Sequence, residues 1–150
     1  MVGMNDTNLR DDEIRQTGAR LWRQWTEMWN GSFALARTLV APRFVLHLVK
    51  PSAVDEQLIA TPEAVERWVR EHCAKFERLV FHPDCGPFVD TARSVVAGPW
   101  WAEASTAGVA SSVCGMDTLA FRAGRVTEYW TLSRPAEDVG RWTDVVAPFP

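Results

Sequence analysis

A chain of 150 residues, 47% of them hydrophobic, suffices for one domain around a single core and is too short for two. Sixteen basic side chains face nineteen acidic ones with no long run of either sign, which leaves no electrostatic footprint for nucleic acid or an anionic membrane surface. No opening segment resembles a signal peptide and no stretch nears the roughly 20 apolar residues of a membrane span, so a cytoplasmic protein is expected.

Residues 1–11 are polar and aperiodic and are expected to form a tail. From Asp12 onward, Ile14, Gly18, Leu21, Trp22, Trp25, Met28 and Trp29 recur at helical spacing, with Arg15, Arg20, Arg23 and Glu27 opposite them. Asn30-Gly31 stops that helix, and Ser32 is placed to cap a shorter one over 33–40 that Pro42 ends. Residues 44–49 read as a strand with apolar groups on both faces, His47 sharing a face with Val45 and Val49. Residues 50–60 form a loop able to close over whatever that strand borders. Thr61 and Pro62 open a third helix whose stripe is Val65, Trp68, Val69, Cys73 and Phe76.

Three strand-like runs follow. The first, over 79–90, is interrupted at Asp84-Cys85-Gly86-Pro87, where a bulge or bend is expected. In the second, over 94–105, Val96, Gly98, Trp100, Ala102 and Ala104 share one face, which points Trp100 inward and Trp101 outward. The third is a hairpin over 112–133 that turns at Arg122-Ala123-Gly124-Arg125. Alternation there gathers Val113, Gly115, Asp117, Leu119 and Phe121 on one face, leaving Asp117 as its only charge. A carboxylate among apolar neighbours must find partners, neutralise or serve a purpose, because burying it as an unpaired ion is very costly. On the last strand Tyr129 and Trp130 point opposite ways, and periodicity alone does not decide which faces inward. Residues 136–150, with Trp142 and Val145, read as an extension beyond a domain spanning 12–135.

The order helix, helix, strand, helix, then consecutive antiparallel strands gives an α+β layout in which a strongly bent sheet wraps against helices. Small residues on its inner face leave room for a cavity. Eight tryptophans supply enough flat, amphipathic rings to fill a core and also line such a cavity for an apolar ligand. Cys73, Cys85 and Cys114 are odd in number and widely spaced, which favours reduced thiols. His47, His72 and His82 fit no zinc pattern, so neither metal nor cofactor is expected.

The segments WTEMWNGS, APRFVLH, TPEAVERWV and GMDTLAFRAGRVTEYW together resemble the nuclear-transport-factor-2-like (NTF2-like) superfamily, in particular its SnoaL-like polyketide cyclase and ketosteroid isomerase branch. The likeness spans about residues 14–134. It implies a cone-shaped α+β barrel, three helices against a curved mixed sheet, usually assembled as a homodimer. It carries Asp117 onto the superfamily's functional carboxyl and His47 onto or beside the isomerase base. Pocket-lining positions fall on Trp25, Met28, Trp68, Trp100, Val113, Gly115, Leu119, and Tyr129 or Trp130. The chain departs from the pattern at Ala107, Ala120 and Arg134, and around Gln24 and Trp25.

What the resemblance implies is a cofactor-independent cyclase or isomerase acting on an apolar polyketide- or terpenoid-like carbonyl compound. Asp117 would donate a proton or hydrogen bond while His47 removes a proton from carbon, and an epoxide-opening variant of the same chemistry is the near alternative. A binding module with the same cavity, holding an apolar small molecule without turnover, is the competing reading.

Overall fold

The computed structural model describes residues 3–49 and 52–136. Helix α1 spans Gly3–Trp29 and so begins nine residues before the expected Asp12, absorbing most of the stretch expected to be a tail. That stretch lacks an apolar stripe, and the acidic Asp11, Asp12 and Glu13, which suit a helix N-terminus, lie inside the helix instead. Leu9 is accordingly 62% exposed, whereas Leu21 and Met28, two turns apart on the buried face, are fully enclosed. The extension over 137–150, with Trp142 and Val145, lies outside the described residues.

A 3-10 turn, Phe33–Leu35, runs into the four-residue helix α2, Ala36–Leu39, and Ser32 makes no side-chain cap bond to it. Strand β1 then covers Val40–Leu48, starting four residues earlier than expected and passing through Pro42. A proline is tolerated there because β1 is an edge strand and its pairing is irregular between Val40 and Val45. Helix α3, Pro62–Cys73, begins as its sequence predicts, with the Thr61 hydroxyl accepting from the Ala64 N–H at 3.2 Å. Val65 and Val69 are its fully buried residues, one turn apart.

Strands β2 (Arg78–Pro83) and β3 (Phe88–Asp90) are separated by the expected break, which contains a cis Gly86–Pro87 bond. Both pair with β4 (Val95–Thr106), which is followed by β5 (Val109–Arg122) and β6 (Arg125–Pro135). Two tight turns join these long strands. Ala107-Gly108 and Ala123-Gly124 each place two successive residues at positive φ, the geometry that matches the twist of antiparallel partners. The sheet order is β1-β6-β5-β4-β2, antiparallel except where β1 runs parallel to β6. Among the described residues it is bent but open, with edges at β1 and β2, which is the expected cone of curved sheet wrapped against helices.

The helices fill the concave side. Gly98 lets α1 come close, since a Cβ there would sit 2.8 Å from the Trp22 ring. Val96, Leu119 and Val126 on three strands meet Leu21, Met28, Val65 and Val69 from the helices in one core. Fully burying each such side chain stabilises the fold by about 1.5–3 kcal/mol. No helix among the described residues is long and apolar enough to cross a membrane.

Candidate active site

Register decides which side chains share the concave face. Gly98 on β4 pairs with Asp117 on β5, and Asp117 pairs with Thr131 on β6. Leu119 pairs with Tyr129, and Leu48 on β1 pairs with Thr131. Directly opposed residues project the same way, so Leu48, Asp117, Tyr129, Thr131 and Trp100 all point toward the helices. There they bound a cavity of ≈ 260 Å³. Helix α1 contributes Trp22, Trp25 and Trp29, α3 contributes Trp68 and His72, β2 contributes Phe81, and the loop after β1 adds Ser52 and Val54.

Asp117 is the one charged residue in the buried core of the described residues, 6% exposed. Its Oδ2 accepts from the Tyr129 hydroxyl at 2.9 Å and its Oδ1 from the Thr131 hydroxyl at 2.7 Å. The Trp100 indole N–H faces the same carboxyl, out of line for a hydrogen bond. Burial pushes Asp117 up from the usual 3.8 to about 6, and the Thr131, Trp100 and Tyr129 donors, which favour the charged form, oppose that rise. Burial, and next the charge of Asp117, hold the Tyr129 phenol well above its ordinary value, so it stays protonated and donates.

The Tyr129 and Thr131 hydroxyls both donate to this carboxyl, one to each oxygen. A carboxylate accepts such bonds on both oxygens, whereas a neutral carboxylic acid would need an acceptor for its own proton. The surroundings therefore suit an ionised resting Asp117 whose conjugate acid is easily formed.

His47 does not join it. Its partner across the strands is Trp130, and the two rings stack at 4.6 Å and 9° on the convex face, while His47 Nε2 lies 2.9 Å from Glu128 Oε2. The expected convergence of His47 and Asp117 is corrected by a one-residue change of parity, which swaps faces for every side chain of a strand. The same parity places Tyr129 inside and Trp130 outside. Of the other expected lining residues, Trp25, Trp68 and Trp100 are on the cavity wall. Met28 and Leu119 are fully enclosed in the core instead of lining the cavity. Val113 faces inward opposite Ala102 but lies farther along the hairpin. Gly115 contributes by absence: a Cβ there would run into the Trp100 ring and sit 2.6 Å from the Leu132 carbonyl oxygen.

Several cavity residues escaped sequence reasoning, Thr131 beside Asp117 and His72 on α3 among them. His72 sits four residues after Trp68 and three after Val69, on the apolar stripe of α3, so its spacing carried the signal. Its ring meets Trp29 edge-on at 5.6 Å, and burial, then Lys75, lower its pKa below the usual 6.5. Among the described residues no cluster of side chains could hold a metal ion.

No protein-family model and no curated protein matches the chain. Solved structures do. A candidate polyketide cyclase from Acidithiobacillus ferrooxidans is 20% identical, with a TM-score of 0.65 over 78% of this chain and 87% of its own. IdmH of Streptomyces antibioticus, another candidate polyketide cyclase, is 20% identical with a TM-score of 0.60, covering 77% of this chain and 91% of its own. Bal32a, from a soil-derived mobile gene cassette, is 15% identical with a TM-score of 0.67, covering 79% and 89%. The chain shares with these structures the NTF2-like α+β cone fold.

Proposed function

We propose that the protein is a cofactor-independent acid/base enzyme, a cyclase or isomerase, acting on an apolar polyketide- or terpenoid-like carbonyl compound. The observation that carries this reading is a buried carboxyl, poised at about 6, on the wall of a tryptophan-lined cavity. At pH 7 such a group is about nine-tenths ionised, yet its conjugate acid is strong enough to return a proton within the same turnover. Asp117 removes a proton from carbon next to the carbonyl, and the apolar walls keep water from competing. Returning that proton to another carbon isomerises the substrate, and attack of the carbanion on a second carbonyl closes a ring.

Asp117→Asn tests the assignment against a panel of bicyclic and tricyclic ketones and β-dicarbonyls. Turnover should fall by about 10²–10⁴ while quenching of tryptophan fluorescence by bound ligand persists. The binding-module reading is favoured by one specific feature, that both Asp117 oxygens already have partners in Tyr129 and Thr131. Binding by the unsubstituted protein with no turnover across the panel, and an Asn variant that changes affinity alone, would establish that reading instead.

A homodimer through the convex face is proposed alongside. There the cross-strand neighbours Met116 and Leu132 are 39% and 46% exposed on the sheet that carries the stacked pairs His47–Trp130 and His82–Trp101. Apolar side chains on the outer face of a paired sheet are what a second copy would cover.

A further inference from the structure

We propose that His72 is a second catalytic residue, a neutral imidazole whose N–H hydrogen-bonds the substrate's carbonyl oxygen while Asp117 handles the proton on carbon. This inference rests on the Asp117 reading above and adds the group that receives the developing negative charge.

The placement argues for it. Asp117 comes from the sheet wall of the cavity and His72 from the helical wall, and no hydrogen bond joins them among the described residues, so they are not a dyad. Between them lies an aromatic floor. Trp29 touches His72 at 5.6 Å and meets Trp68 at 5.3 Å and Phe81 at 5.4 Å. Trp68 and Phe81 in turn contact Tyr129 at 6.4 Å and Trp100 at 5.1 Å, the two rings that flank Asp117. A flat apolar ligand lying on that floor thus presents one edge to a carboxylate and another to an imidazole.

Size narrows the ligand. The cavity of ≈ 260 Å³ is less than twice the roughly 150 Å³ that accommodates benzene in an apolar protein interior. Two fused rings bearing a ketone fit, so the substrate class is a bicyclic ketone or β-dicarbonyl.

The protonation state fits the role. Burial and the nearby Lys75 charge both disfavour imidazolium, which leaves a neutral ring at neutral pH. A neutral N–H on an aromatic-walled cavity surface stabilises an enolate oxygen with less reorganisation than water needs as charge develops. In the step, the C–H bond next to the carbonyl breaks and its proton goes to an Asp117 oxygen. The electron pair forms the enolate C=C bond, and the former carbonyl π pair moves onto oxygen, which accepts the His72 hydrogen bond. Reprotonation from Asp117 restores the carbonyl, and His72 keeps its proton throughout.

The test uses the full chain and 2-tetralone as probe. Solvent-deuterium exchange at its α-carbon gives turnover, and ¹⁵N resonances of the His72 ring report contact without turnover. His72→Phe keeps the ring packing on Trp29 but removes the donor, and His72→Gln restores an N–H. The expected result is a shift of the His72 nitrogens on saturation, a loss of about 10²–10³ in kcat for Phe with KM little changed, and partial recovery for Gln. The proposal is overturned if 2-tetralone does not bind, if the ring nitrogens do not move, or if His72→Phe exchanges at the original rate. Unimpaired exchange by Asp117→Asn would bring down the Asp117 reading instead, so the two failures are distinguishable.

Discussion

Asp117→Asn should stabilise the protein at neutral pH and leave it nearly unchanged in acid. The carboxyl has its ordinary value of 3.8 in the unfolded chain and about 6 in the folded one, so the native state binds the proton more tightly. Between those values the unfolded state binds fewer protons, and stability falls as pH rises. At pH 5 the native carboxyl is about 0.9 protonated and the unfolded one about 0.06, which gives a slope of about −1.2 kcal/mol per pH unit. Integrated across the window, ionising Asp117 in its buried site costs about 3 kcal/mol. An amide has no such dependence.

Urea unfolding followed by tryptophan fluorescence, in half-unit steps from pH 3.5 to 8, measures the effect. The stability of the variant minus that of the parent should climb by about 3 kcal/mol between pH 3.5 and 7 and then level off, or by roughly 6–12 °C in Tm. Every other titrating group cancels in that difference. Asn offers one acceptor oxygen to the Tyr129 and Thr131 hydroxyls where Asp offers two, which displaces the whole difference curve by about 1 kcal/mol without altering its shape. A flat difference across the range would refute the reasoning, because it would mean that water reaches the carboxyl and that it titrates as an ordinary aspartate.

Tyr129→Phe removes the 2.9 Å donor to Oδ2, so the acid limb of the pH–rate profile should move up by about 1 unit, read from kcat/KM between pH 4.5 and 8. Gly115→Ala forces the Trp100 ring away from β5 and should cost about 1–3 kcal/mol in urea unfolding, with ligand binding weakened as the cavity wall shifts. His47→Ala deletes the half-exposed 2.9 Å contact with Glu128 and should change stability by no more than about 1 kcal/mol, with turnover unaffected. Leu132→Glu places charge on the convex face and should convert a dimer to a monomer in sedimentation analysis, with the cavity intact.

The most legible parts of the fold were those where one face is plainly apolar. Strict alternation in β4 and β5 put Trp100 and Asp117 on one inner surface, and register confirms it through the Gly98–Asp117 pair. The α3 cap was readable because Thr-Pro at a helix start has a single economical geometry. Strand β1 defeated the same logic: Phe44, Val45, Leu46 and Val49 are apolar on both faces, so nothing in the pattern chose the side for His47. Strand β6 was ambiguous for the same reason, and only pairing with β5 turned Tyr129 inward. His72 was hidden differently. A histidine reads as polar, and among Glu71, Lys75 and Arg70 it blends into the wet face of α3 although its spacing belongs to the dry one.

The parallel pairing of β1 with β6 joins two segments separated by some eighty residues, and among the described residues β1 has no other neighbour in the sheet. A nascent chain that has emerged only as far as Arg122 carries β1 as an unsatisfied ribbon, exposed to sticking to other copies. Tyr129 and Thr131 arrive on the strand that joins β1 to β5, so the carboxyl gains its hydroxyl partners in the same event that brings β1 into the sheet. Folding is therefore governed by a late, long-range closure, and slow kinetics with a strong dependence on the last strand follow from the topology.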